Sequence, residues 1–168
     1  NPQSKLTDST TQQFITAESF AHKEKLLAWL LGNEQYRKAM VFTNTKATAD
    51  LLYGRLRAQD MRVFVLHGDK LQEERRRALQ AFSQGSERVL LATDVAARGL
   101  DIEGVDLVIN FDLPRSGDEY VHRVGRTGRD GDQGLAISLI EHQDWNLLSS
   151  IQRYLKQLFE KRVLPGLK

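Results

Sequence analysis

Residues His122–Arg129 read His-Arg-Val-Gly-Arg-Thr-Gly-Arg, three arginines and two glycines in eight positions. Guanidinium is planar, permanently charged and able to make paired hydrogen bonds to phosphate. Taken as a helix at about 100° per residue, His122, Arg126 and Arg129 share a sector of roughly 60°, with Arg123 about 100° from His122. One short element can then aim two guanidiniums and an imidazole at a single anionic point. Gly125 and Gly128 each cost such a helix about 1 kcal/mol relative to alanine, so they point to close packing or a close ligand. The alternative is a surface helix of salt-bridged arginines, which this composition suits poorly.

Two further segments carry candidate groups. Ala92–Asp101 reads Ala-Thr-Asp-Val-Ala-Ala-Arg-Gly-Leu-Asp. Thr93 can offer a hydroxyl or a backbone N–H to a phosphate, and Arg98 can offer its guanidinium. Ala96, Ala97 and Gly99 are small enough to let another backbone approach. Asp101 is a short acceptor suited to a ribose hydroxyl, or else a capping or turn residue. His67–Arg75 reads His-Gly-Asp-Lys-Leu-Gln-Glu-Glu-Arg. Here Gly68 permits a tight turn, and Asp69 suits N-capping of the next helix better than ligand contact. His67 reads equally as a satisfied loop histidine.

The elements that must position these groups follow from apolar periodicity. Strands are predicted over 38–43, 62–67, 88–93, 106–111 and 134–140, with an early strand over 12–16. Helices are predicted near 21–31, over 45–57 and 71–82, and near 144–160. In the last of these, Trp145, Leu147, Leu148, Ile151, Tyr154, Leu155 and Leu158 read as core packing. Strand–helix alternation with short connections implies βαβ units and a mostly parallel sheet covered by helices on both faces.

In such open sheets ligands bind beyond the carboxyl ends of the strands. Those ends are where the polar segments fall: Asn44 and Thr45 after the 38–43 strand, His67 and Gly68 after the next, then Thr93 and Asp94, then Asp112–Arg115. Polar loops end strands everywhere, but four delivered to one edge make a candidate site.

Composition sets the outer bounds. The 168 residues suit one domain with one sizeable core. Twenty-four basic and 22 acidic residues leave a formal charge of only +2, so any nucleic-acid contact must come from local clusters. Arg75, Arg76 and Arg77 form one such cluster, readable also as a solvated helix face. No apolar run approaches the roughly 18 residues of a membrane span, and no secretory signal is recognisable. The absence of cysteine excludes disulfides and thiolate metal sites and fits a reducing cytosol. A cytoplasmic protein is therefore expected. The chain starts at Asn1 with ten mainly polar residues, read as a linker (1–10) ahead of a domain over 11–168.

These segments, in this order, resemble the second half of the DEAD-box ATP-dependent RNA helicase core. Val41–Lys46 resembles helicase motif IV, Leu66–Arg75 the Gln-x-x-Arg segment that follows it, Ala92–Asp101 motif V and Tyr120–Arg129 motif VI. The likeness spans about Phe14 to Leu167. It implies a RecA-like three-layer α/β sandwich. It further implies that Arg126 and Arg129 are arginine fingers for the γ-phosphate of ATP and that Asp101 contacts the ribose, with Gly99 beside it. By the same resemblance His122 and Arg123 couple this half to its partner half across the nucleotide cleft. Asn44, Thr45, Gly68, Arg75, Thr93 and Arg98 fall in segments that grip the RNA backbone. Such contacts prefer RNA and are largely indifferent to its sequence.

The sequence contains no Gly-x-x-x-x-Gly-Lys-Ser/Thr phosphate loop and no Asp-Glu-Ala-Asp tetrad. ATP and Mg²⁺ are therefore expected to bind mainly to an N-terminal RecA-like domain of the same chain. The 168-residue piece by itself is expected to be monomeric, to bear no metal site, to bind RNA weakly and to hydrolyse little ATP. Two rival readings are an inactive RNA-binding or protein-docking module and a related DNA helicase.

Overall fold

A computed structural model describes residues 9–67, 71–85, 87–98, 100, 102–125, 127 and 133–167. Seven strands make one sheet: β1 (Thr10–Thr16), β2 (Ala39–Thr43), β3 (Val63–Leu66), β4 (Val89–Thr93), β5 (Leu107–Asn110), β6 (Gly134–Ile140) and β7 (Glu160–Lys161). Their order is β3-β4-β2-β5-β6-β1-β7, and every pairing is parallel. All carboxyl ends thus point to one edge. The four strands that carry the candidate loops, β3, β4, β2 and β5, are consecutive neighbours.

Among the described residues six α-helices cover the sheet: α1 (Phe20–Asn33), α2 (Lys46–Ala58), α3 (Gln72–Ser83), α4 (Asp94–Ala97), α5 (Gly117–Val124) and α6 (Trp145–Leu155). Each strand of a parallel sheet needs a crossover to bring the chain back, which puts helices on both faces. Leu26, Leu27 and Leu30 of α1 and Leu52 and Leu56 of α2 pack with Val41, Leu91 and Ile109 on one side. Phe82 of α3, Tyr120 and Val124 of α5 and Leu148 and Ile151 of α6 pack with Met40, Phe42, Leu90 and Val108 on the other. Adjacent residues of β2 and β4 alternate between the two cores, so these central strands are apolar throughout. Each fully buried aliphatic or aromatic side chain contributes about 1.5–3 kcal/mol relative to exposure.

Three differences from expectation have local causes. The helix predicted to reach residue 160 stops at Leu155, because Lys156 takes a left-handed conformation (φ 55°, ψ 40°). The chain then turns back to lay Glu160–Lys161 beside β1. Leu158, read as core, is 84% exposed, and Trp145 is also partly exposed while its ring meets Phe14 edge-on. The helix read over 122–129 begins at Gly117 and ends at Val124, with Gly125 as its cap. Gly125 donates its N–H to Val121 O at 2.7 Å, and Thr127 donates to Val124 O at 3.1 Å, closing the last turn.

Candidate nucleotide and RNA edge

The centre of the carboxyl edge is Arg123. It sits in the last turn of α5, and its residue surface is 1% exposed. Ser116 starts that helix by accepting a hydrogen bond from Glu119 N at 3.1 Å. Asp118 and Glu119 in the first turn and His122 and Arg123 in the last match the helix dipole. From there the guanidinium reaches three strand ends. Nε donates to Asp94 Oδ1 at 2.7 Å, and Nη2 donates to Asp94 Oδ2 at 2.7 Å and Asn44 Oδ1 at 2.6 Å. Nη1 donates to Asn110 Oδ1 at 3.2 Å and to the carbonyl of Asp112 at 2.7 Å. Its carbon also lies 5.2 Å from the centre of the Phe42 ring.

A guanidinium has five N–H donors, and here all five have acceptors. Arg123 is therefore turned inward and held by its own chain, whereas the sequence reading aimed it across a cleft. The network extends further. Asp112 accepts from Asn44 N at 2.9 Å and from the buried Lys23 Nζ at 3.2 Å. Lys23 in turn stands 4.5 Å from the centre of the Phe111 ring. Asn110 donates to Ser138 Oγ at 3.1 Å, tying β5 to β6.

Other candidates sit around this hub. Asn44 spends its amide on Leu113 O at 3.1 Å, so its side chain positions the loop after β2. Thr45 caps α2, accepting from Thr48 N at 3.2 Å, and remains exposed. Thr93 is buried at the start of α4, and Arg98 stands exposed at the end of that helix. Arg75 donates Nη2 to Ala96 O at 3.3 Å, joining α3 to α4, while its buried Nε has no hydrogen-bond partner among the described residues. The arginine run divides: Arg75 faces inward, and Arg76 and Arg77 pair with Glu73 on the solvent side. His122 is exposed, with Nε2 3.4 Å from Asp118 Oδ2.

Gly68, Asp69, Gly99, Asp101, Arg126 and Arg129 lie outside the described residues. The cap position of α3 itself is Leu71, which makes no side-chain cap bond. Among the described residues no group of three or more His, Cys, Asp or Glu could hold a metal ion. No helix of the described chain is long and apolar enough to cross a membrane.

Sequence reasoning passed over Asn110 and Lys23, and named Asp112 only as the start of a polar loop after its strand. One signal was available for Asn110: a polar residue closing an apolar strand must find a partner once buried.

The family model described as the helicase conserved C-terminal domain matches residues 22–131. The chain belongs to that family. Within it, the domain is of the RecA-like DEAD-box type. It is 42% identical to the ATP-dependent RNA helicase SrmB of Haemophilus influenzae, over 93% of this chain and 36% of that protein. It is 44% identical to the ATP-dependent RNA helicase FAL1 of Meyerozyma guilliermondii, over 85% of this chain and 36% of that protein. Among solved structures, the helicase domain superposes on the Escherichia coli DEAD-box protein SrmB bound to regulator of ribonuclease activity A with a TM-score of 0.90 and 40% identity. That match covers 95% of this chain and 94% of the other. It superposes on Saccharomyces cerevisiae Dbp5 bound to RNA and ADP BeF3 with a TM-score of 0.90 and 35% identity, covering 97% and 44%. The chain spans about a third of the length of the curated relatives it matches.

Proposed function

We propose that this domain is the second half of an ATP-dependent RNA helicase core, working with an N-terminal RecA-like half of the same protein. The observation that carries the reading is the Arg123 network. It joins the loops after β2, β4 and β5 to α5, the helix that precedes Gly125–Arg129 in the chain, which supports a reading in which one edge of the sheet serves both RNA and nucleotide. The names of the relatives agree with it.

Arg126 and Arg129 are assigned to the γ-phosphate and Asp101, beside Gly99, to the ribose, with exposed His122 facing the partner half. ATP, held with Mg²⁺ mainly by that half, supplies the phosphoryl bond that is broken. Thr45, Thr93, Arg98, Gly68 and Arg75 form the RNA backbone track, and Asn44 orders its first loop. Arg98 is exposed, and an exposed guanidinium suits a phosphate. Closing the two halves bends a single strand along this track, and a bent strand leaves the duplex. We assign the protein to the cytoplasm and residues 1–10 to the linker between halves.

The test is Arg126→Ala in the full-length protein. ATP binding should persist while turnover falls about 10³–10⁵-fold, the usual worth of an arginine finger. Turnover near wild type overturns the assignment. The 168-residue domain alone should show negligible RNA-stimulated ATPase activity.

A further inference from the structure

We propose that His67 and Asp50 are positioning residues that hold the end of β3, where one segment assigned to RNA departs, against α2, whose start carries another. His67 follows β3 directly and is 3% exposed, yet its Nε2 lies 2.9 Å from Asp50 Oδ1. A carboxylate only accepts, so the imidazole donates. Asp50 stands in the second turn of α2, and its side chain is 54% exposed. The pair therefore ties a buried strand end to the outer surface of the neighbouring helix.

The need for such a tie follows from the sheet. Among the described residues β3 is an edge strand, paired with β4 alone. The cap residue of α3, Leu71, is 69% exposed and cannot cap with its side chain. Two described contacts stand on either side of the connection between them, His67 on Asp50 and Arg75 on Ala96 O. The first lands on α2 one turn beyond Thr45, the residue assigned to RNA at the start of that helix. Losing it loosens the end of β3 against α2 and leaves the Arg75 contact intact.

The inference rests on the helicase reading above. It predicts an effect on RNA capture and none on the chemical step. In the full-length protein, Asp50→Ala should raise the KM for single-stranded RNA in the ATPase assay by about five- to tenfold, the order of one lost hydrogen bond to a buried donor. The kcat at saturating RNA should stay within about twofold, since the fingers are untouched. Asp50→Asn keeps an oxygen acceptor for the imidazole and should restore the wild-type KM. An unchanged KM in Asp50→Ala overturns the proposal. So does an equal loss of kcat and melting temperature in both variants, which marks the pair as merely structural. A wild-type protein without RNA-stimulated turnover overturns the helicase reading, and this inference with it.

Discussion

Arg123 and Asp94 face each other along two parallel hydrogen bonds, both 2.7 Å, with the arginine side chain wholly shut from solvent. The pair links the helix that ends at Val124 to the one that starts after Thr93. Removing one member of a buried pair leaves the other charge uncompensated, which typically costs about 3–5 kcal/mol. Asp94→Ala should therefore lower the unfolding free energy of the domain by that order in urea titrations. Arg123→Lys should fare little better, because an ammonium has three donors for the present five acceptors. Wild-type stability in both variants would contradict the buried network.

Gly117 begins α5, and a Cβ there would overlap the ring of Tyr154 on α6. Alanine normally favours a helix over glycine by about 1 kcal/mol. Here overpacking should outweigh that gain, and Gly117→Ala should destabilise by about 1–3 kcal/mol. Combining it with Tyr154→Ala should recover part of the loss, which calorimetry of the double variant can read.

Alkaline stability should depend on Tyr120. Burial pushes its phenol well above the ordinary value of 10.0, with the Ser138 hydroxyl pulling weakly the other way. The folded state therefore keeps the proton that the unfolded chain gives up. This contribution is full below about pH 10 and is lost as pH rises beyond it. Tyr120→Phe should flatten the fall in melting temperature between about pH 10 and 11, and phenolate absorbance from Tyr120 should appear only on unfolding.

Arg98 tests the RNA track through salt. If it neutralises one phosphate of a single strand, Arg98→Ala should reduce the slope of log K against log salt by about 0.7. The loss should be equal for oligonucleotides of different sequence, since phosphate contacts carry no base information. A sequence-dependent loss would place Arg98 at a base instead.

Much of the architecture was legible because the signals were local. The apolar runs at 38–43, 88–93 and 134–140 each hold a strand, and the 45–57 periodicity proved to be α2 with Thr45 as its cap. Local signals also misled. Leucine spacing carried the last helix on to residue 160, but a left-handed Lys156 ends it at Leu155, and the chain goes on to pair β7 with β1. The angular argument for His122–Arg129 assumed a helix that Gly125 closes. The resemblance gave Arg123 a coupling role toward the partner half, and the structure shows its guanidinium tied within this chain. Its acceptors at 44, 94, 110 and 112 come together only through the strand order. The His67–Asp50 pair escaped for the same reason.

The placement of β1 beside β6 has a consequence for synthesis. Thr10–Thr16 precedes the other six strands of this sheet along the chain, yet its full-length neighbour is Gly134–Ile140. The opening strand must wait, unpaired along that side, until the sixth has emerged, and such long-range closure slows folding and exposes chain to misassembly. β7, which lies on the other side of β1, emerges later still, so the flank of the sheet that holds Thr10–Thr16 is the last part of this fold to close.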